Sequence, residues 1–267
     1  MRKTGLFLAS IALSAALWAE LPEKKGLDVI NRANAEAYIG FLASDALEGR
    51  EAGFRGGRIA GEYIVSNLKT MGIEPLFESY YQPFEAYNKE RQKKGRFQVH
   101  PDSIAKLKQG VHQKLSMNNI LGKIEGKNPN EYVIIGAHYD HLGFDPMLDG
   151  DRVYNGADDN ASGVSAVLQV AKAFLATGGQ PERTVIFAFW EGLLGSKYFV
   201  QTFSEMDKVK GYLNYDMIGR NKDESKPMHV VYFYTEAHPV FGDWLKNDIK
   251  KYGLNLTPDY RPWDKPV

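Results

Sequence analysis

Apolar residues follow two patterns along this chain, and the two patterns alternate from residue 117 onward. Short runs rich in β-branched and aromatic residues predict buried strands, whereas apolar residues three or four positions apart predict amphipathic helices. In chain order the predicted elements are strands 117–124 and 132–137, helix 162–177, strand 184–190, helix 193–203, strands 209–217 and 230–234, and helix 238–252. This alternation predicts an α/β fold with a mainly parallel mixed sheet and helices on both faces.

Two further helices are predicted nearer the amino terminus, over residues 35–43 and 57–71. In the second, Ile64 and Leu68 lie on one apolar stripe, and the following Gly72 is a typical stop signal. The stretch between the two helices is rich in glycine and charge, which predicts a loop.

Polar side chains stand where the predicted strands end. His138 and Glu191 each follow an apolar run, Asp216 lies at the end of a third, and Asp158 precedes a helix. Because the carboxyl ends of parallel strands meet at one edge of a sheet, these side chains are expected to converge. Imidazole and carboxylates form a zinc-type ligand set, and a dication offsets the cost of crowding carboxylates. Asp140 is placed to accept the other N–H of His138 and so to orient its ring.

Composition narrows the class of protein. The chain has 267 residues, of which 43% are hydrophobic and 25% charged, enough for one large domain with a substantial core. Its formal net charge is zero, so no nucleic-acid partner is indicated. It has no cysteine, which excludes disulfides and thiolate zinc ligands and leaves histidine and carboxylates to hold any metal.

The first residues have the pattern of a secretory signal peptide. Arg2 and Lys3 precede an apolar run from Leu6 to Trp18, which ends in small residues at Ala19. We therefore expect a signal peptide over residues 1–19 and one mature α/β domain over residues 20–267, exported to the periplasm or secreted. No membrane span is expected after cleavage, because the run is short for one.

Several segments together resemble a known family, the two-zinc exopeptidases of metallopeptidase family twenty-eight. The family includes secreted bacterial aminopeptidases, with relatives in glutamate carboxypeptidase and glutaminyl cyclase. The resemblance covers roughly residues 30–260, and the segments that carry it are LASDALEGREAG, GAHYDH, NGADDNASG, GLLGSKYF and LNYDMIG. It implies the zinc-exopeptidase fold, which is phosphorylase/hydrolase-like.

The resemblance also implies roles for individual residues. His138 would bind one zinc ion together with Asp216, Asp158 would bridge two zinc ions, and Asp140 would orient His138. The implied activity is that of a secreted zinc-dependent aminopeptidase, which hydrolyses N-terminal residues from peptides through a metal-activated water. The implied partner is a peptide with a free N-terminus.

Two departures from the family pattern change this expectation. The family has two adjacent glutamates after the apolar strand, a general base and a zinc ligand. Here Trp190-Glu191-Gly192-Leu193 holds one glutamate and is about three residues shorter, so Glu191 is expected to take either role but not both. The family's last ligand is a histidine in a Ser-Asp-His segment, and this sequence ends at Val267 about where that segment should begin. We therefore expect the C-terminal part of the fold to be missing.

Three hypotheses remain open on the sequence. The chain is either an active aminopeptidase or a relative that holds one metal ion or none and acts as a peptide-binding module. A glutaminyl-cyclase-like enzyme, which needs one zinc ion, is the third reading. The number of bound zinc ions distinguishes them, since two favour the peptidase and one or none favours the others.

Overall fold

A computed structural model describes residues 22–89, 97–221 and 223–263. The predicted signal peptide lies outside the described residues and stays a prediction. The chain divides into two compact units, one that ends at Asp216 and one that begins at Met217. They are described separately, and the single domain predicted over residues 20–267 also stays a prediction.

The first unit is built on a six-stranded mixed sheet. Its strands and those of a small hairpin are, in chain order, β1 (Glu74–Pro75), β2 (Tyr81–Lys89), β3 (His112–Ile124), β4 (Asn128–His138), β5 (Gly143–Phe144), β6 (Val153–Tyr154), β7 (Arg183–Trp190) and β8 (Val209–Asn214). The order across the sheet is β1-β3-β7-β4-β8, with β2 also paired to β3. Strands β7, β4 and β8 are parallel, whereas β3 runs antiparallel to β7. The short strands β5 and β6 pair with each other.

Helices cover both faces of this sheet, as the sequence predicted. They are α1 (Pro22–Asp28), α2 (Arg32–Leu42), α3 (Arg55–Met71), α4 (Pro101–Leu107), α5 (Gly163–Ala176) and α6 (Gly192–Thr202). Alternate residues of β7 enter different cores: Phe187 packs with α2, α3 and α5, whereas Ile186 packs with Phe199 of α6. Such two-sided burial explains why β7 is apolar without a break from Val185 to Trp190.

Several predicted strands have different bounds in the structure, and β4 begins at Asn128 rather than at residue 132. Strand β3 begins at His112 rather than at residue 117, because its polar first half pairs with β2. The strand predicted over residues 209–217 ends at Asn214, so Asp216 lies in the loop that follows β8. This position releases Asp216 from the sheet while keeping it beside the strand end.

The second unit contains β9 (His229–Thr235), α7 (Val240–Tyr252) and β10 (Thr257–Trp263). Its two strands are parallel, with His229 opposite Thr257, and α7 connects them. None of the helices in the described ranges is both long and apolar enough to cross a membrane.

Candidate metal site

The site lies at the carboxyl ends of the parallel strands. His138 is the last residue of β4 and stands opposite Trp190, the last residue of β7. On the other side of β4, the backbone N–H of Tyr215 donates to the carbonyl of Gly136 at 2.9 Å, which fixes the loop that carries Asp216. Parallel pairing therefore delivers His138 and Asp216 to the same edge of the sheet.

Three side chains meet at this edge. The Nε2 atom of His138 lies 3.1 Å from Oδ1 of Asp159 and 3.6 Å from Oδ1 of Asp216. Their potential ligand atoms all lie within 4.8 Å of one another. One imidazole nitrogen and two carboxylates thus converge on a space of the size that one ion needs.

The other ring nitrogen of His138 faces Asp140. Its Nδ1 atom lies 3.2 Å from the backbone oxygen of Asp140 and 3.4 Å from the carboxylate Oδ1. The same Oδ1 accepts a hydrogen bond of 2.6 Å from the backbone N–H of Gly192, at the start of α6. Acceptors on the Nδ1 side hold a proton there, so Nε2 is the nitrogen that would give up its proton and coordinate a metal ion in the cluster.

The electrostatics of this cluster favour a positive charge. Burial lowers the pKa of His138, but hydrogen bonds and charges from Asp140 and Asp216 outweigh that effect and raise it to about 10. An imidazole surrounded by carboxylates therefore holds a proton at neutral pH, and a dication would satisfy the same negative potential more fully. Imidazole and carboxylate are zinc donors, so the residues present fit a divalent ion.

The structure places Asp159, not the predicted Asp158, in the cluster. In the described part of the chain, the carboxylate of Asp158 is not a member of the group and accepts a 3.3 Å hydrogen bond from Ser162. The sequence offers two adjacent aspartates in an irregular turn over Ala157–Ser162, where no periodicity indicates which one faces the strands. Asp159 was missed for that reason.

Asn160 fixes the turn that carries Asp159. Its side-chain amide donates to the carbonyl of Tyr215 at 2.9 Å, and its oxygen accepts from the N–H of Gly163 at 3.0 Å. One buried amide therefore joins the first turn of α5 to the loop that holds Asp216. The relative positions of Asp159 and Asp216 depend on this bridge.

Glu191, the predicted base or ligand, lies outside this group of described residues and is only 1% exposed. Its Oε1 accepts from the backbone N–H of Gly53 at 2.7 Å, and its Oε2 accepts from that of Asn118. Burial raises its pKa, against the lowering effect of these hydrogen bonds. Both oxygens are therefore engaged in holding a loop and a strand together.

His141 is the second imidazole near the cluster. Its Nδ1 atom lies 3.6 Å from Oδ2 of Asp159. Burial lowers its pKa, so it is neutral at neutral pH, in contrast to His138. It therefore stands beside Asp159 as a neighbour of the cluster rather than as a member of it.

Comparison with known proteins gives this geometry a family context. The model of peptidase family M28 matches residues 119–266, more than half of the chain. Leupeptin-inactivating enzyme 1 of Streptomyces exfoliatus is 36% identical over 135 residues, which are 48% of this chain and 27% of that protein. An aminopeptidase of Pseudomonas aeruginosa is 36% identical over 115 residues, which are 41% of this chain and 19% of that protein. The matched stretch thus spans about a quarter or less of these relatives.

Solved structures show the same fold at lower identity. The LapA aminopeptidase of Legionella pneumophila superposes with a TM-score of 0.61 at 20% identity, over 91% of this chain and 57% of that one. The zinc aminopeptidase BSAP of Bacillus subtilis gives a TM-score of 0.61 at 15% identity, over 86% of this chain and 79% of that one. These likenesses support the arrangement of strands and helices described above.

Proposed function

The chain belongs to peptidase family M28, and on this premise we propose that it is a zinc-dependent aminopeptidase. The observation that carries the proposal is the convergence of His138, Asp159 and Asp216 at the carboxyl edge of the parallel strands. The names of the matched relatives, which include aminopeptidases, support the same reaction class. Glutaminyl cyclase also appears among similar folds, but at 17% identity that likeness concerns the fold alone.

His138, Asp159 and Asp216 would hold one zinc ion, and the second ion that the family resemblance implies would need ligands beyond this group of described residues. When bound, zinc supplies Lewis-acid chemistry and lowers the pKa of a coordinated water toward neutrality. Asp140 keeps the Nε2 atom of His138 directed at the cluster, through the contacts at Nδ1. Each residue therefore has a task that its own contacts support.

The acidic edge also suits a substrate with a free amino terminus. Asp216 is exposed, and Asp159 is about half-exposed, so the carboxylates face solvent on one side. An α-ammonium group is attracted by the solvent-facing carboxylate oxygens that a bound zinc ion leaves free, because it can donate hydrogen bonds to them, whereas a carboxylate terminus cannot. We propose that this attraction orients peptides with their N-terminus toward the cluster.

Two neighbouring aspartates provide a matched test. Loss of a residue that only orients a metal ligand typically lowers metal affinity roughly 10- to 100-fold. Asp159→Asn removes the charge of a ligand itself, so zinc affinity should fall by more than this. Asp158→Asn, one residue away, should retain both zinc binding and turnover. Zinc affinity is measured by competition with a chelating dye, and turnover by release of p-nitroaniline from leucine p-nitroanilide.

The outcomes separate the parts of the proposal. Zinc binding without leucine p-nitroanilide turnover in the unaltered protein would overturn the aminopeptidase activity and leave a metal-binding relative. Loss of zinc binding in Asp158→Asn but not in Asp159→Asn would overturn the assigned ligand set.

A further inference from the structure

Arg50 is a fully buried arginine next to the metal cluster, with 1% of its surface exposed. Its Nε donates to the carbonyl of Tyr139 at 2.9 Å. Its Nη1 donates to the carbonyls of Leu42 and, at 2.6 Å, Asn155, and its Nη2 donates to that of Gly156 at 2.9 Å. One guanidinium group therefore satisfies four backbone acceptors.

Three of these acceptors lie beside residues of the site. Tyr139 stands between His138 and Asp140, and Asn155 and Gly156 lie four and three residues before Asp159. Arg50 thus ties the end of β4 to the turn that enters α5. A planar group with five fixed donors can hold acceptors in several directions at once, which a lysine ammonium on a flexible stem cannot reproduce.

The backbone around Arg50 is held in a rare conformation. Glu48 and Arg50 both have φ of 51°, although neither is glycine. Between them, Gly49 approaches β5 so closely that a Cβ atom would lie 2.2 Å from the carbonyl oxygen of Gly143. The carbonyl of Arg50 also accepts from the N–H of His141 at 3.0 Å. A strained backbone conformation persists only where neighbouring contacts hold it in place, and such residues cluster at functional sites.

We infer that Arg50 is a positioning residue, which sets the distance between His138 and Asp159 by holding the backbone carbonyls on either side of them. The inference rests on the proposed metal site. A charge effect alone would act in the opposite direction, because Arg50 is a cation next to a site for a cation. Its removal would then strengthen metal binding, whereas loss of positioning would weaken it.

The opposite signs give the test. Zinc affinity is measured by dye competition on folded protein for Arg50→Met, which removes charge and donors, and Arg50→Lys, which keeps the charge. Positioning predicts that both bind zinc about 10- to 100-fold more weakly, and that the visible absorption spectrum of bound Co²⁺ changes. Unchanged or tighter binding in Arg50→Lys and Arg50→Met would overturn the inference.

A core variant controls for general loss of stability. Ile64→Ala removes a fully buried side chain from the same core, and Ile64 supplies none of the four acceptors of Arg50. It should unfold more easily, yet its zinc affinity and the absorption spectrum of its bound Co²⁺ should match those of the unaltered protein. If Ile64→Ala weakens zinc binding as much as Arg50→Lys, the effect of Arg50 is only structural and the inference fails.

A pair of glycine variants decides the question if the Arg50 variants do not fold. Gly49→Ala shifts the turn that carries Arg50 while keeping its side chain, and it should weaken zinc binding. Gly150→Ala places alanine at a similar φ of 79° with nothing within 4 Å of the added carbon, so zinc binding should remain. Equal zinc affinities in the two variants would overturn the inference. Absence of zinc binding in the unaltered protein would instead overturn the proposed function.

Discussion

At the scale of single residues, the chemistry of the site follows from the different surroundings of the two ring nitrogens of one imidazole, that of His138. The Nδ1 side of His138 meets Asp140, and the Nε2 side meets Asp159 and Asp216. The hydrogen bond made at one ring nitrogen determines which of the two nitrogens can coordinate a metal ion. The ring is therefore oriented before any ligand arrives, which reduces the cost of binding one.

Glu191 provides a prediction at this scale, because its contacts indicate a structural rather than a catalytic task. Removal of a general base typically lowers turnover by roughly 10²- to 10⁴-fold. Glu191→Gln should keep zinc binding and should lose much less turnover than this. The measurement is kcat with leucine p-nitroanilide alongside zinc affinity. A loss of turnover within that range, with zinc binding intact, would restore the catalytic role expected from the sequence.

The same variant has a pH signature. Burial raises the pKa of Glu191 above its ordinary value of 4.5, so the folded protein holds this proton more tightly than the unfolded chain. The free energy of unfolding should therefore fall as pH rises from about 4.5 through the raised pKa. Glutamine has no such proton, so urea unfolding of chelator-treated Glu191→Gln should lack this part of the pH dependence. Parallel pH profiles for the two proteins would contradict the assignment.

Part of the site could be predicted from the residues alone. Position at a strand end, together with residue type, identified His138 and Asp216 as cluster members. The choice between Asp158 and Asp159 was beyond sequence reasoning, because it depends on the irregular backbone of one turn. Arg50 lies in one of the segments that carry the family resemblance, but the sequence did not predict its burial, since a buried arginine and an exposed loop arginine look alike.

At the scale of elements, the site depends on the rigidity of the parallel strands. Strand β7 lies between β3 and β4, and its alternate side chains fill the cores on both faces of the sheet. Phe187 at its centre is fully buried and packs edge to face on Phe174, with ring centroids 6.1 Å apart. Movement of this strand would displace β4 and with it His138.

The core around β7 gives a stability prediction. Phe187→Ala should lower the free energy of unfolding by about 3–5 kcal/mol, because it leaves a cavity in a core that cannot fully collapse. Phe144→Ala, at a residue that is 49% exposed, should change it by no more than about 0.5 kcal/mol. Both are measured by urea unfolding of chelator-treated protein. Equal effects of the two variants would contradict the described packing of β7.

The sequence indicated these elements unevenly. Strand β7 and helix α5 were predicted closely, because uniform burial and helical period leave a strong apolar signal. The first half of β3 was missed, because it is polar and its pairing with β2 is made by the backbone. Strand β8 was predicted too long, since the apolar pattern continues into a loop where pairing has already ended.

At the scale of the whole molecule, all three cluster residues belong to the first compact unit. The family match and the fold likeness extend over most of this chain but cover only part of the relatives. The family and the fold class expected from the sequence are confirmed. Export stays a prediction, since the segment that would direct it lies outside the described residues.

We propose that His138, Asp159 and Asp216 bind one divalent ion together. Anomalous X-ray diffraction at the zinc absorption edge, from crystals of the full chain grown with zinc, tests it most directly. We expect an anomalous peak in contact with His138 Nε2 and with the carboxylates of Asp159 and Asp216. A zinc-loaded crystal with no peak there, or with a peak coordinated by Asp158 or Glu191 in place of Asp159, would contradict it.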